Sequence, residues 1–259
     1  MIDFGNHYCV AQIWVLSLGT CCPPREQRLL VSCSPIPHHV IPEGPLGEHG
    51  RKKELFKGLA IEQMEKEWTV YPVILLDLSC GKYYSLENAK IILDNILKVE
   101  EQKYGIEVSE SGREGFGARF RNILLAAKAQ TGKQVVVLID EYDAPMHDSI
   151  SDEELQKTIR SIMRDFFSPL KQQEGNIRFV FITGISKFSQ LSIFSELNNL
   201  KILTLKDEYS SCCGITKSEL TQYFREGIEE MAEHNGLTYE ETLQQLGQHY
   251  DGYHFSIEI

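Results

Sequence analysis

Asp140 and Glu141 follow directly on Val135-Val136-Val137-Leu138-Ile139, an unbroken apolar run rich in β-branched side chains. Such a run predicts a strand buried on both faces, as in a parallel sheet. Its two carboxylates then fall at the carboxyl end of that strand, where open α/β sheets bind their ligands. The chemistry that fits is Mg²⁺-assisted hydrolysis of a nucleoside triphosphate such as ATP. An aspartate at this place holds the metal, directly or through water, and a following glutamate orients or activates the attacking water. Asp140 is therefore the candidate for metal and cofactor binding, and Glu141 the candidate water-orienting base. Asp143 is a further acid for the same metal. Thr183 ends the next apolar run, Arg178-Phe179-Val180-Phe181-Ile182, where a polar group can sit beside the attacking water and sense the terminal phosphate. Lys187, four residues on, has the reach to touch a phosphate. Each has a plainer reading: solvated acids that happen to end a strand, a Thr-Gly pair that stops one, a lysine that starts a helix.

The phosphate half of such a site is missing. It requires Gly-x-x-x-x-Gly-Lys-Ser/Thr after the first strand, because backbone N–H groups and the lysine hold the β- and γ-phosphates. No such segment occurs. Thr131-Gly132-Lys133-Gln134 precedes a strand and reads as a helix cap. Gly214-Ile215-Thr216-Lys217-Ser218 lies far downstream and lacks the glycine spacing. Gly115-Phe116-Gly117-Ala118-Arg119 opens a helix with no strand before it. The strand candidate upstream of the others, Val10–Leu18, is followed by Gly19-Thr20-Cys21-Cys22-Pro23-Pro24-Arg25, again without Gly-Lys-Ser.

The elements that must position these residues alternate between strand and helix. Apolar spacing predicts a helix over Lys52–Trp68, a buried strand over Val73–Leu78, and a helix over Ser85–Tyr104 with Ser85 as N-cap. A helix follows over Phe116–Gln130, then the Asp140 strand. A capping pattern at Ser151 predicts a long helix to about Gln173. The strand ending at Thr183-Gly184 comes next, then a short helix over Phe188–Leu197 and a short strand over Ile202–Leu205. Two amphipathic helices close the chain, Thr216–Asn235 and Thr238–Tyr250, each opening on Thr with Glu three residues on. The expected fold is α/β: a P-loop NTPase-like parallel sheet flanked by helices, with a small C-terminal helical subdomain. The expected boundaries are an atypical segment over 1–50, the α/β core over 51–210, and the helical subdomain over 211–259.

Residues 1–50 differ in character from the rest. They hold four of the seven cysteines and six of the nine prolines, and no lysine. Three readings stand for them. Cys21, Cys22, Cys33, His38 and His39 offer zinc ligands, though in no closed ligand spacing. The segment also reads as a disordered arm, or as sequence translated out of frame and joined near Arg51. The abrupt change in composition favours the last.

Over the whole chain, 42% hydrophobic and 24% charged residues match a soluble globular protein. A net charge of −11 argues against broad binding to nucleic acid or to an anionic membrane. No apolar run is long enough to span a bilayer. An odd cysteine count fits free thiols in a reducing cytoplasm.

Taken together, Gly58-Leu59-Ala60-Ile61 with Trp68, Leu138-Ile139-Asp140-Glu141-Tyr142-Asp143, Phe181-Ile182-Thr183-Gly184-Ile185-Ser186-Lys187-Phe188-Ser189, Phe194-Ser195-Glu196-Leu197-Asn198-Asn199-Leu200, Cys213-Gly214-Ile215-Thr216 and Tyr250-Asp251-Gly252-Tyr253-His254-Phe255 resemble the AAA-ATPase-like proteins of bacteria. The resemblance covers about Arg51 to Phe255. It implies ATP and Mg²⁺ as cofactors, a Walker B role for Asp140 and Glu141, and a role for Thr183. Members of that family usually begin with a Walker A P-loop in a Pro-Arg-Arg-Phe-Gly-Lys-Ser setting; here only Pro24-Arg25 and Leu29-Leu30 echo it. They often continue into a nuclease-like domain of the PD-(D/E)XK type, whereas this chain ends at Ile259, so no such domain is expected in it.

The reading that results is an ATPase-like domain, inactive as written for want of a Walker A motif, with nucleotide binding weak or absent. One alternative is a non-hydrolysing interaction scaffold that binds a protein partner through the Thr216–Tyr250 helices; a homo-oligomer is a further expectation. Another is a metal-dependent nuclease-associated protein using Asp140, Glu141 and Asp143; against it, no lysine follows at nuclease-motif spacing.

Overall fold

The structure is a computed structural model that describes residues 12–17, 68–107, 114–184, 193, 200–202 and 217–250. Lys187, the five candidate zinc ligands, the Lys52–Glu67 part of the first expected helix and most of Phe188–Leu197 lie outside the described residues. The elements are β1 (Gln12–Ser17), β2 (Val73–Asp77), α1 (Leu86–Lys103), α2 (Phe116–Thr131), β3 (Val135–Asp140), α3 (Ala144–Asp148), α4 (Glu153–Phe167), α5 (Pro169–Gln172), β4 (Ile177–Gly184), β5 (Leu200–Ile202), α6 (Lys217–Tyr223), α7 (Arg225–Asn235) and α8 (Tyr239–Tyr250). The strands and α1–α5 belong to one compact unit and α6–α8 to another.

The sheet runs β2-β3-β4-β1-β5. β2, β3 and β4 are parallel, with Asp77 opposite Asp140 and Ile139 opposite Ile182. β1 is antiparallel to both β4 and β5. The all-parallel sheet expected from the alternation is thus a mixed one. An apolar strand can pair with a neighbour's backbone in either direction, and the antiparallel ladder is slightly the more stable per residue. Nothing in the spacing of Val10–Leu18 fixes which way it runs.

The core lies between the sheet and helices α1, α2 and α4. Ile74 and Leu76 of β2 and Val135, Val137 and Ile139 of β3 are buried, while Val136, Leu138 and Asp140 on the other face of β3 are half-buried. The strand expected to be closed on both faces is therefore fully closed on one. Leu93 and Leu97, Phe120 and Leu124, and Met163 and Phe166 complete this core from the three helices. Each such side chain contributes about 1.5–3 kcal/mol relative to exposure.

Several local predictions meet their physical cause here. Ser85 caps α1 by accepting from the Asn88 N–H at 3.1 Å. Gly132 ends α2 at φ 66°, a left-handed conformation that costs glycine nothing, so Thr131-Gly132-Lys133 is a helix cap. The long helix expected to reach Gln173 instead ends at Phe167. Pro169 has no N–H to continue the ladder, and α5 starts afresh from it. The N-cap of α4 is Asp152, not Ser151: the Asp152 carboxylate accepts from the Leu155 N–H at 3.0 Å. The short helix α3 was not foreseen. The strand expected over Ile202–Leu205 begins two residues earlier, at Leu200.

In the second unit, the single helix expected over Thr216–Asn235 is two helices, α6 and α7, with a break at Phe224. The Thr221 hydroxyl donates back to the Lys217 and Ser218 carbonyls, a local bond that bends helices. α8 opens on the expected capping box. The Glu241 carboxylate accepts from the Thr238 N–H at 2.8 Å, and the Thr238 hydroxyl accepts from the Glu241 N–H at 3.2 Å.

Among the described residues β2 is an edge strand, and its outward backbone groups are met by α1. The Leu75 N–H donates to Glu100 Oε1 at 3.3 Å, and the Val73 carbonyl accepts from Lys103 Nζ at 2.6 Å and from the Tyr104 hydroxyl at 2.9 Å. Covering an edge in this way removes it as a template for aggregation. Burial pushes the Glu100 carboxyl above its ordinary value near 4.5, and Lys103 and the Leu75 N–H pull it back only in part. Between the ordinary and the raised value, the folded state therefore holds more of a proton on Glu100 than the unfolded state does. Stability from this group is lost as pH rises from the ordinary value through the raised one, and recovered as pH falls. Urea titrations of the wild type and Glu100→Gln at several pH values test this. The wild type is expected to gain relative to the variant as pH is lowered through that window, then level off; a flat difference would show that Glu100 has the same pKa folded and unfolded.

Candidate functional site

The parallel register aligns the ends of three strands. Asp77 of β2 stands beside Asp140 of β3, and the next step along β4 brings Thr183 to Asp140 on its other side. The Thr183 hydroxyl donates a hydrogen bond to Asp140 Oδ1. The Glu141 N–H donates to the same oxygen at 3.1 Å. Both bonds fall on Oδ1, which leaves Oδ2 open to a cation among the described residues. Asp77 is held differently: its Oδ1 accepts from the Ser79 N–H at 2.8 Å and the Ser79 hydroxyl at 2.7 Å, closing the turn out of β2.

Glu141 leaves the strand in a left-handed conformation, φ 49°, which is uncommon for a residue with a side chain. Strain of this kind concentrates at functional sites. Its carboxyl is pushed above the ordinary value, first by burial, then by the neighbouring carboxylates of Asp143, Asp140 and Asp77; His147 pulls the other way. A carboxyl raised toward neutrality is the direction that suits a proton acceptor near neutral pH. Asp143 is fully buried, and its Oδ2 lies 3.3 Å from His147 Nε2, one turn along α3.

Two of the sequence-predicted residues, Asp140 and Thr183, are thus in direct contact, and Glu141 adjoins them. Asp143 shares the neighbourhood but is turned into the protein toward His147. Asp77 and His147 were missed. Asp77 carried a signal, since Val73-Ile74-Leu75-Leu76-Asp77 repeats the pattern of an apolar run ending in an acid. His147 lay four residues after Asp143, but the helix that pairs them was itself unforeseen.

Among the described residues, no group of three or more His, Cys, Asp and Glu side chains is arranged to hold a metal. Asp140 alone still suits Mg²⁺, which binds through one or two carboxylates and keeps waters and substrate phosphates as its other ligands. The surroundings suit phosphate less well. Lys82, on the loop after β2, is paired with Asp148, and the His147 imidazole on α3 with Asp143. β1 does not open a cradle at this edge. It is reversed, so its final residue, Ser17, pairs with Phe179 near the start of β4, while Gln12 pairs with Gly184. The chain therefore leaves β1 at the edge opposite Asp140. The Gly115–Arg119 helix start is closed as well: the Asp165 carboxylate accepts from the Gly117 N–H at 3.1 Å.

A family model described as "Predicted AAA-ATPase" matches residues 46–194, more than half of the chain. This chain belongs to the AAA-ATPase-like family. The matched region of this AAA-ATPase-like chain contains β2–β4 with Asp77, Asp140, Glu141 and Thr183, and leaves residues 1–45 outside it. A curated relative, described as an uncharacterized protein in the vnfD 5′ region of Azotobacter chroococcum mcd 1, is 32% identical over 170 residues. The match takes in 66% of this chain and 32% of the relative, so the chain spans about a third of that protein's length. No solved structure matches. Among the described residues, no helix of this family member is long and apolar enough to cross a membrane.

Proposed function

We propose that the carboxyl edge of β2, β3 and β4 is the metal-and-water half of a P-loop NTPase-like site for Mg²⁺-ATP, and that the chain as written turns over little or no ATP. Asp140 would hold Mg²⁺ through Oδ2 or through water. Glu141 would orient the attacking water, and Thr183, bonded to Asp140, would stand beside it. Lys187 would reach a phosphate from the segment after β4. The observation that carries the reading is the alignment of Asp140 and Thr183 under a left-handed Glu141 at the carboxyl edge of parallel strands. The family match supports a nucleotide as the ligand.

Inactivity follows from positioning. Phosphoryl transfer depends almost wholly on holding the phosphates and stabilising their charge. An acidic edge without a cradle does neither. In this reading residues 51–210 are the ATPase-like core, 211–259 a helical subdomain, and 1–50 a segment whose proper frame encodes the missing Gly-Lys-Ser/Thr. The antiparallel β1 and the start of the family match at residue 46 support that division.

Phosphate release with Mg²⁺-ATP, measured for the wild type and Glu141→Gln, tests the proposal. Both are expected at background. Turnover that disappears in Glu141→Gln would overturn the claim of inactivity and leave an ordinary ATPase. The second arm is Mn²⁺ binding by electron paramagnetic resonance in the wild type and Asp140→Asn. The wild type is expected to bind Mn²⁺ and the variant to lose it. Equal binding by both would remove Asp140 from the metal site.

A further inference from the structure

The turn after β3 poses a physical problem that the metal-and-water reading does not solve. Glu141 sits at φ 49°, a conformation that costs a residue with a Cβ free energy. It does not persist unless its surroundings over-determine it. The surroundings are specific. The Tyr142 N–H, next in the chain, donates to the Thr183 carbonyl of β4 at 3.1 Å. The Ala144 N–H donates back to the Glu141 carbonyl at 3.0 Å, closing the turn. Tyr142 and Asp143 are both fully buried.

The approach that makes the Tyr142 bond possible depends on the residue after Thr183. A Cβ placed on Gly184 would lie 2.5 Å from Tyr142 Cδ1, 2.5 Å from Tyr142 Cε1 and 2.5 Å from Asp143 Oδ1. Real Cβ atoms do not tolerate such distances, and the buried ring has nowhere to retreat. Gly184 is itself buried. Only the absence of a side chain lets the end of β4 close on the turn.

We infer that Gly184 is a positioning residue: its bare Cα clasps Tyr142 and Asp143, and this clasp holds Glu141 in the left-handed turn that presents its carboxylate beside Asp140. The inference rests on the reading of Glu141 as the water-orienting group. The Thr-Gly pair thus does two things. Thr183 fixes the metal-binding carboxylate through its hydroxyl, and Gly184 fixes the neighbouring carboxylate through the space it leaves. If the end of β4 drew back, the Tyr142 bond to Thr183 would open. Glu141 would then relax to an ordinary φ, and its side chain would swing away from the edge.

A double-mutant cycle on the full chain, without metal or nucleotide, reads this coupling. Unfolding by urea is measured for the wild type, Glu141→Gly, Gly184→Ala and the double variant. With the clasp closed, glycine at 141 relieves the strained φ and favours the folded state. With the clasp opened by Gly184→Ala, that benefit is gone and glycine carries only its usual penalty. The effect of Glu141→Gly on the folding constant is therefore expected to differ between the two backgrounds by about fivefold or more. A merely space-filling role for Gly184 predicts additivity. Amide exchange gives the local readout: Gly184→Ala is expected to expose the Tyr142 N–H at least tenfold while the α1 amides stay protected. Additive effects together with unchanged Tyr142 protection overturn the proposal. Should Gly184→Ala fail to fold, Tyr142→Ala takes its place in the cycle with Glu141→Gly, because it opens the clasp from the other side by removing the ring that Gly184 admits; additivity there overturns the proposal equally. Because no ligand is present, failure of the cycle leaves the Mg²⁺-ATP reading standing. Failure of that reading in the phosphate-release and Mn²⁺ assays leaves the cycle unaffected.

Discussion

Replacing Arg119 with methionine is expected to cost about 3–5 kcal/mol of folding stability, the range for stranding a buried charge. Arg119 of α2 grips Glu101 of α1 with two parallel bonds, Nε to Oε1 and Nη2 to Oε2, both 2.7 Å. Its Nη1 donates to Asp94 at 2.6 Å. This fork is the strongest geometry available to a guanidinium. The Glu101 hydrogen bond leads the causes that raise the Arg119 pKa, and Lys98 and Arg119 hold the Asp94 carboxyl below its ordinary value. Glu101 is only 4% exposed. Methionine fills much of the arginine's volume but leaves that carboxylate buried and unmatched. Thermal unfolding checks the expectation: at roughly 2–4 °C per kcal/mol for a chain of this size, Tm should fall by on the order of 10 °C. A second variant isolates the cause. Arg119→Met with Glu101→Leu removes both charges, and most of the loss is expected to return, because apolar replacement of a whole buried pair is often neutral. A loss under about 1 kcal/mol for the single variant would place the pair among solvent-screened ion pairs.

Gly117→Ala is expected to destabilise by about 2–3 kcal/mol, the cost of overpacking at a backbone contact. Helix propensity predicts the opposite sign, since alanine is favoured over glycine by about 1 kcal/mol inside a helix. The tertiary contact wins. A Cβ at residue 117 would stand 2.3 Å from the backbone carbonyl oxygen of Asp165 in α4, an atom that cannot rotate out of the way. α2 would have to draw back from α4. The bond from the Gly117 N–H to the Asp165 carboxylate would weaken, and so would the packing of Phe120 on Phe166, whose ring centroids are 5.9 Å apart. Denaturant unfolding reads the effect directly. A gain in stability would mean that α2 slides on α4 without penalty.

Much of the fold was legible because its signals are local. Apolar periodicity placed β2, β3, β4, α1 and α2 within a few residues. Ser85, Gly132 and the Thr238–Glu241 pair marked their helix ends, because capping needs only groups three or four residues apart. Where the spacing misled, a nearby residue explains it: Pro169 cut the long helix, and Thr221 sits in the turn before the break at Phe224. The Asp140–Glu141 pair stood out because a fully apolar run leaves an abrupt polar end.

The sequence by itself determined the family of this protein, its strand ends, and the identity of the acids there. It also determined that no Gly-Lys-Ser/Thr cradle follows a strand, because that motif is contiguous. Only the tertiary structure decided the rest. The direction of β1 depends on which neighbour it meets, since backbone pairing is indifferent to side-chain order. The partnership of Asp140 with Thr183 and Asp77 joins residues 43 and 63 positions apart, numbers that follow from their places in the chain and carry no periodic signal. The left-handed turn at Glu141 has no local author, because glutamate does not prefer it. It exists because Gly184, arriving on another strand, leaves room for Tyr142 to close against β4.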